Sequence, residues 1–454
     1  MVNPLLLPEL REMLSSEDDG TLREFLVDSH PASIAELSEG LSVEETWQLL
    51  ARAPLQRQAE IFAFYSPQKQ VALASGAGSE QLSRLLEAMS HDDRADLLQR
   101  LEPEVVERVL PLVAKADRED IRRLLSYPEQ SAGALMTTDY ASLPADVTVG
   151  EALALLRQQA PASETIYYVY VLDEERRLIG FVSLRDLILA PISATVREIM
   201  HPDVISVRVD EDQEQVAAKL AKYDFLAIPV VDDQHRLVGI ITHDDVLDVV
   251  THEATEDALH MGAVSAMVES HLEAPFVTVW RKRALWLAAL FIAELFTFTA
   301  LASFEDAIKA IVALSLFVPL CISTGGNSGS QAATLTTRAL ALGQVTPRQW
   351  WRVLQHEFLM GVALGVTLGC IGFVRAALTP ASVLDGTDRV MLALVIALAV
   401  ASICLWGTLV GSMLPLLFKR FGVDPGYSSS PFVATFVDVT GIVIYFSIAK
   451  AILF

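Results

Sequence analysis

Five stretches after residue 276 are long and apolar enough to cross a bilayer: about Ala284 to Phe304, Ala307 to Gly325 with a polar extension to Gly343, Val353 to Leu378, Val390 to Leu417, and Phe432 to Phe454. A crossing takes roughly 20 mainly apolar residues, so these predict an all-helical bundle of five spans. With the N-terminus inside, the bases at 281–283, then Arg338, Arg348 and Arg352, then Lys419 and Arg420 all fall on the cytoplasmic side. The other two loops, "FEDAIK" and "VLDGTDR", carry at least as many acids as bases. Clustered bases stay cytoplasmic, which puts the N-terminus inside and the C-terminus outside a multi-pass membrane protein.

The last span reads "SPFVATFVDVTGIVIYF" and holds a lone acid, Asp438. A carboxylate at mid-bilayer costs roughly 2.5 to 3.5 kcal/mol even on the lenient insertion scale, so such a group usually faces a bundle interior and marks an ion or substrate path. Thr435, Asp438 and Gly441 share a helical face, and Pro431 cannot continue a helix backwards, which would free carbonyls near Ser428 to Ser430. All-oxygen surroundings suit hard divalent cations; Mg²⁺ keeps several waters and accepts one or two carboxylates. A two-fold dimer with its pore on the axis would present two copies of Asp438. The alternative is a protonated Asp438 bonded to a neighbouring helix. In the second span, Asn327, Gln331, Thr334 and Arg338 recur at spacings of 4, 3 and 4 within "STGGNSGSQAATLTTRALALG". They form one polar stripe, for which helix-packing glue and a cavity wall are both open readings.

Charge divides the chain. From residue 276 onward there are 12 Lys+Arg and 8 Asp+Glu, whereas the first 275 residues carry 22 and 49. An acidic soluble half repels nucleic acid and suits cations or plain solubility. Cys321, Cys370 and Cys404 lie in apolar runs without metal-ligand spacing, so neither a disulfide framework nor a zinc site is expected. The N-terminal "MVNPLLLPELREML" has too short an apolar run for a signal peptide.

Residues 1–130 read as helices. Ser42, Ser66 and Ser90 stand 24 residues apart as N-caps, with Glu45 and Asp93 three residues beyond the first and third, which predicts a small solenoid. A duplication follows. "YVLDEERRLIGFVSLRDL" and "PVVDDQHRLVGIITHDDV" align with Gly180 and Gly239, and Asp186 and Asp245, each 59 residues apart. Each copy reads as strand, hairpin, strand, helix, with a Met-Thr or Met-His lead-in upstream. This resembles a tandem pair of CBS domains. The run after it, "THDDVLDVVTHEATEDALH", holds Asp244, Asp245, Asp248, Glu253, Glu256 and Asp257, with Asp210, Asp212 and Asp224 able to face the same region. Like charges three or four apart destabilise a helix unless a cation neutralises them; the bland reading is a solvated acidic face.

Taken in order, these parts resemble the MgtE family of bacterial magnesium channels and transporters over essentially the whole chain. The matching motifs are "TGGNSGSQAATL", "PFVATFVDVTG" and "HEATEDALHMGAV". The resemblance implies a helical superhelix at 1–130, tandem CBS domains at 131–250 (131–192 and 193–250), an acidic connecting helix at 251–275 and a five-span pore domain at 276–454. It implies a homodimer in a bacterial inner membrane, with hydrated Mg²⁺ held by Asp438, Asn327 and the backbone near Ala434. It further implies regulatory Mg²⁺ at Asp92, Asp96, Asp212, Asp224, Asp245, Asp248, Glu253, Glu256, Asp257 and Asp424, with high cytosolic Mg²⁺ closing the pore. Nucleotide such as ATP at the CBS pair would use Asp186 and Phe225. Ser430 stands where some members have Asn, and Met261 or Gly262 where another acid is expected. Two other readings are a CBS-regulated transporter of Mn²⁺ or Co²⁺ and a membrane-anchored CBS sensor. The absence of His or Cys near Asp438 disfavours softer metals. An enzyme is not expected, since no nucleophile and base pair or phosphate loop occurs; "TGGNSGS" lacks the lysine of a P-loop.

Overall fold

The computed structural model describes residues 7–15, 19–265, 274–384 and 387–454. The chain divides into two compact units, Met1–Thr251 and His252–Phe454.

Among the described residues the first unit opens with ten short α-helices, from Leu7–Ser15 to Lys115–Leu124. From the third onward they pack on the helix two places away: Leu55–Ala63 lies on Pro31–Ser38 and on Ser79–Ala88, and Pro67–Gly76 on Val43–Leu50 and His91–Arg100. That pattern is a stack of short helices in which successive units bury their apolar faces on one another, the solenoid expected from the 24-residue period. Ser42 closes a full capping box with Glu45, and the Ser66 hydroxyl accepts from Lys69 N–H. Ser90 occupies the third cap position, but its side chain makes no capping bond, so the third start rests on the packing of Leu97 and Leu98 instead.

Two three-stranded sheets follow, β1 (Tyr140–Pro144), β2 (Thr165–Leu172) and β3 (Leu178–Ser183), then β4 (Val207–Arg208), β5 (Ala227–Val231) and β6 (Leu237–Thr242). In each, the first strand runs parallel to the second and the second antiparallel to the third. The two glycines of the duplication explain why the copies come as a pair. A Cβ on Gly180 would stand 3.1 Å from the His201 carbonyl, and one on Gly239 would stand 2.7 Å from the Thr137 carbonyl. The lead-in of each repeat therefore lies across the hairpin of the other, Thr137 bridging Ile240 and His201 bridging Phe181. Neither sheet is complete without its sister repeat.

The acidic helix predicted at 251–275 starts earlier and ends sooner. It runs His243–Met261 directly out of β6, and Gly262 and Ala263 turn the chain, Ala263 with φ +57°; residues 266–273 lie outside the described residues.

In the second unit five long helices span Phe276–Ala302, Ala313–Ala341, Trp350–Ala377, Arg389–Arg420 and Ser430–Leu453. They are called the first to fifth long helices below. Among the described residues four segments are long and apolar enough to cross a membrane, the third beginning at Pro347; the second long helix is not among them. Its 29 residues form one uninterrupted helix, but the half from Ser323 onward is small and polar. Four of the five long helices are thus apolar enough to span, and the second joins an apolar half to the polar extension expected as far as Gly343. The break before it falls at Ile311–Val312, after a short helix Glu305–Ala310, so the predicted start at Ala307 is corrected to Ala313. Its small residues let it sit against the fourth long helix almost backbone to backbone: a Cβ on Gly411 would stand 2.0 Å from the Gly329 carbonyl oxygen, and one on Gly407 would stand 2.3 Å from that of Gly325. Ser328 Oγ adds a 3.1 Å bond to the Cys404 carbonyl across the same seam.

Candidate functional site

The polar stripe of the second long helix is unpacked. Ser323, Asn327, Gln331, Thr334 and Arg338 are all exposed, whereas Gly325, Ser328, Gly329, Ala332, Ala333 and Thr336 are buried against neighbouring helices. The two readings left open by the sequence thus belong to opposite faces: the small residues are the glue, and the polar ones face away from the fold of this chain. Asn327 has one polar neighbour in the described set, Ser323 Oγ at 3.4 Å. At the edge between the faces, a Cβ on Gly326 would lie 3.4 Å from Ala434 Cβ and 3.6 Å from Asp438 Oδ1. Both are ordinary contact distances, so the Asp438 carboxylate of the fifth long helix lies at the rim of the stripe, against Gly326.

Of the carbonyls expected to be free near Ser428 to Ser430, those of Ser429 and Ser430 are in use. Pro431 sits in the first turn of the fifth long helix, where it displaces no bond, with Ser429 as N-cap. The Ser429 carbonyl accepts from Val433 N–H at 3.0 Å and the Ser430 carbonyl from Ser330 Oγ at 3.2 Å. Ser430 therefore ties the fifth helix to the second.

One acid near this region escaped the sequence reading. Glu294 stands in the first long helix, half-buried, accepting a 3.1 Å bond from Thr297 Oγ1. Trp286 packs near Tyr427 at 6.0 Å between ring centroids, and Phe304 stacks on Phe446 at 5.2 Å. The first and fifth long helices therefore run parallel, and interpolation between these contacts sets Glu294 within about a turn of the level of Asp438. The signal was available: an acid in the middle of "LFIAELFTF" carries the same insertion cost as Asp438.

A second group of acids lies in the first unit. The hydroxyl of Thr242 donates to Asp245 Oδ2 at 2.6 Å, and it lies 2.5 Å from Asp244 Oδ1. Burial first, and the nearby charge of Asp92 second, push the Asp245 carboxyl up to about 8. Asp139 is raised by burial, with Asp92 and Asp120 adding to it while His91 and Arg94 oppose. Partial burial, then Asp92, Asp244 and Asp139, raise Glu164 as well. The Oδ1 atom of Asp92 is buried without a hydrogen-bond partner. His91, beside it, lies 3.3 Å from both Asp120 and Asp139 and bonds Thr138. Asp96 pairs with Arg100 at 3.3 Å on the same helix. Asp120, Asp139, Glu164 and His91 belong to this neighbourhood and had no recognisable spacing in the sequence, because four separate segments deliver them.

A third group lies in the second unit. His260, at 7% side-chain exposure, donates from Nδ1 to Asp424 Oδ2 at 2.7 Å and stands 3.8 Å from Glu256, with its ring stacked on Tyr427 at 4.8 Å. Asp424 also accepts from Gly426 N–H at 2.8 Å. Asp257 is raised by burial and then by the charge of Asp424, against His260 and Arg338. So Asp257 and Asp424 do come together, and His260 is the bridging residue the sequence reading missed; its spacing of four from Glu256 was the available clue.

Other expected residues are engaged locally. Asp212 caps the helix Gln213–Tyr223, and Asp224 ends it with φ +53°. Asp248 is exposed on the connecting helix and Glu253 half-buried there. Asp186 accepts from Ser183 Oγ at 2.5 Å in a capping box and stands 3.3 Å from His201 Nε2. Phe225 lies edge-on to Tyr168, and with Phe181 they enclose a cavity of only about 20 Å³. Asp186 and Phe225 are thus the two ends of a string of side chains, Asp186, His201, Phe181, Tyr168 and Phe225, rather than walls of one open pocket. Among the described residues no three His, Cys, Asp or Glu side chains converge on a single metal position. The carboxylates approach one another without closing a cage, an arrangement that suits a hydrated ion touching one or two acids.

Comparison with known proteins gives matches along most of the chain. Residues 318–448 match the family described as divalent cation transporter, 29–130 the MgtE intracellular N domain, and 132–193 and 196–252 the CBS domain. The chain is 41% identical over 451 residues to the magnesium transporter MgtE of Thermus thermophilus, covering 99% of this chain and 98% of the relative. It is 30% identical over 436 residues to that of Bacillus subtilis, covering 95% of each. Among solved structures it is similar to the cytosolic domain of the Mg²⁺ channel MgtE in complex with ATP, at 42% identity and a TM-score of 0.51, over 54% of this chain and all of that one. The soluble part of a magnesium transporter matches at 33% identity and a TM-score of 0.53, over 55% of this chain and 98% of that one.

Proposed function

The chain belongs to the MgtE family, and we propose that it conducts Mg²⁺ across the bacterial inner membrane through a pore that cytosolic Mg²⁺ closes. The observation that carries this reading is the exposed stripe from Asn327 to Arg338 beside the Asp438 carboxylate. A stripe of amides, hydroxyls and a guanidinium facing lipid would leave its polar groups unsatisfied, so its natural surroundings are water or a second copy of itself. A homodimer with the two second and two fifth helices around its axis meets that need and opposes two Asp438 carboxylates across a water-filled path. Asn327 and the backbone near Ala434 complete the oxygen lining. The names of the relatives supply the ion, and the oxygen-only lining agrees with a hard one.

We read the four-part division at residues 130, 250 and 275 as serving regulation. Asp245 and Glu164 feel the charges of Asp92 and Asp244 in one unit, and Asp257 that of Asp424 in the other. Held together uncompensated, these carboxylates repel; neutralised by a hydrated divalent ion, they hold their helices together. The compact arrangement is the closed one, so the equilibrium shifts toward opening when internal Mg²⁺ falls. Asp96, Asp212, Asp224, Asp248, Glu253 and Glu256 are outlying members of this sensor. The N-terminus lies in the cytoplasm and the C-terminus outside. The ATP-bound relative supports nucleotide binding between Asp186 and Phe225, which requires the Tyr168, Phe181 and Phe225 rings to part.

Uptake of Mg²⁺ into proteoliposomes by the wild type and by a variant with Asp92, Asp245 and Asp257 all changed to Asn tests this. The variant stays active at internal Mg²⁺ that shuts the wild type; equal closure of both removes the sensor assignment.

A further inference from the structure

A groove on the second unit has the shape and charge of a lipid site. Arg348 and Arg420, with Thr346, Pro347 and Trp350, border an open hollow of about 810 Å³. Pro347, Trp350 and Arg420 also line an apolar trough of about 460 Å³, walled further in by Trp406, Met413 and Phe436. The shared residues make hollow and trough one continuous groove, charged at its mouth and apolar beyond. Both arginines are exposed, and neither guanidinium is in an ion pair among the described residues.

Depth matches a bilayer leaflet. Arg420 and Trp406 stand 14 residues apart on the fourth long helix. At 1.5 Å per residue the trough runs about 21 Å from the mouth, enough to take an acyl chain from the headgroup layer through one leaflet of a roughly 30 Å core. Trp350 sits at the mouth, where an indole prefers the interface.

Direction separates this groove from the ion path. Phe436 and Asp438 are two residues apart on one helix, so their side chains diverge by about 200°. The groove therefore opens on the side of the bundle turned away from Asp438 and the Asn327 stripe, on the face left to lipid by a pore built around that stripe.

We propose that this groove binds an anionic phospholipid, its phosphate held by Arg348 and Arg420 and one acyl chain lying along Trp406, Met413 and Phe436. A guanidinium meets a phosphate with paired N–H donors, and two of them beside a zwitterionic headgroup would also face its cation. The proposal rests on the membrane placement of these helices and is independent of which ion they carry.

The test uses the full chain purified in detergent, with phosphatidylglycerol and phosphatidylcholine as probes and bound lipid counted by native mass spectrometry. The wild type retains phosphatidylglycerol saturably and in preference to phosphatidylcholine. Each arginine near an anionic surface contributes about fivefold, so Arg348→Gln with Arg420→Gln weakens retention at least tenfold. Arg352→Gln, a base of the same membrane edge that lines a different hollow, leaves it unchanged. Trp350→Ala weakens it without altering charge. Normal Mg²⁺ uptake by each variant reports an intact fold. Equal loss with Arg352→Gln, or no preference for phosphatidylglycerol, overturns the site. So does a fall in oligomer size with lipid retention unchanged in the double variant, which would make a second copy the occupant.

Discussion

Replacing Asp245 by Asn should stabilise the metal-free protein and destabilise the Mg²⁺-bound one. The Asp245 carboxyl is pushed from an ordinary 3.8 to about 8, by burial and by Asp92. A group whose folded-state value is raised contributes fully below its unfolded value, and that contribution is lost as pH rises through the folded value. Asp245 therefore weighs against the fold progressively between pH 4 and 8, and above pH 8 the whole penalty is present. About four units at roughly 1.4 kcal/mol each give a ceiling near 6 kcal/mol. That penalty belongs to Asp245 together with its acidic surroundings, and about 2 kcal/mol is the share one substitution should recover. The asparagine oxygen can still accept from Thr242, so that bond is kept. Amide exchange of the helix His91–Arg100 in the full chain reads the effect locally. In chelator at pH 8.5, Asp245→Asn should slow exchange by about 30-fold, and at pH 4 it should make no difference. With millimolar Mg²⁺ the order reverses, because the wild type gains a carboxylate partner for the ion that the variant lacks. Faster exchange in the variant in chelator at every pH would refute the claim that these acids repel.

Three further outcomes follow from particular contacts. Gly411→Ala sets a methyl group against the Gly329 carbonyl, so the second and fourth long helices must part; thermal unfolding in detergent should show a loss of about 1 to 3 kcal/mol. Glu294→Gln removes one of two carboxylates at the same level of the bundle, and should raise the Mg²⁺ concentration for half-maximal uptake about fivefold, for about 1 kcal/mol of lost attraction, with Glu294→Asp recovering part of it. An unchanged concentration dependence would return Glu294 to a purely structural role. His260→Ala breaks the 2.7 Å bond to Asp424 and should shift the internal Mg²⁺ at which uptake halts while leaving uptake at low internal Mg²⁺ intact.

Local pattern carried much of this fold. The duplicated hairpins, their glycines and the capping box at Ser42 were legible because each depends on neighbours a few residues away. What periodicity could not reveal was pairing at a distance: nothing near Gly239 announces that Met136 and Thr137, rather than Met200 and His201, will lie against it. The same limit hid the acid neighbourhood around Asp92, where Asp120, Asp139 and Glu164 arrive from separate segments. The second long helix misled in a different way. Its polar half lowers its hydropathy below that of a span, yet that half is where glycine backbones meet and where the unpacked stripe begins. Pro431 starts the fifth long helix, as its missing N–H requires, but the Ser429 and Ser430 carbonyls beside it are not freed, because Val433 N–H and Ser330 Oγ reach them. Glu294 was legible by the argument that drew attention to Asp438, and was passed over because no small or polar residues surround it in the sequence.

The central claim is that Asp438 handles the ion as it crosses. Mg²⁺ flux into proteoliposomes, with internal Mg²⁺ held low so that the sensor is not engaged, tests it on Asp438→Asn and Asp438→Ala. The account predicts at least a tenfold loss in both, on the scale of about 1.4 kcal/mol or more for a charge removed from the path. Full flux in both variants, with the protein intact, would contradict it.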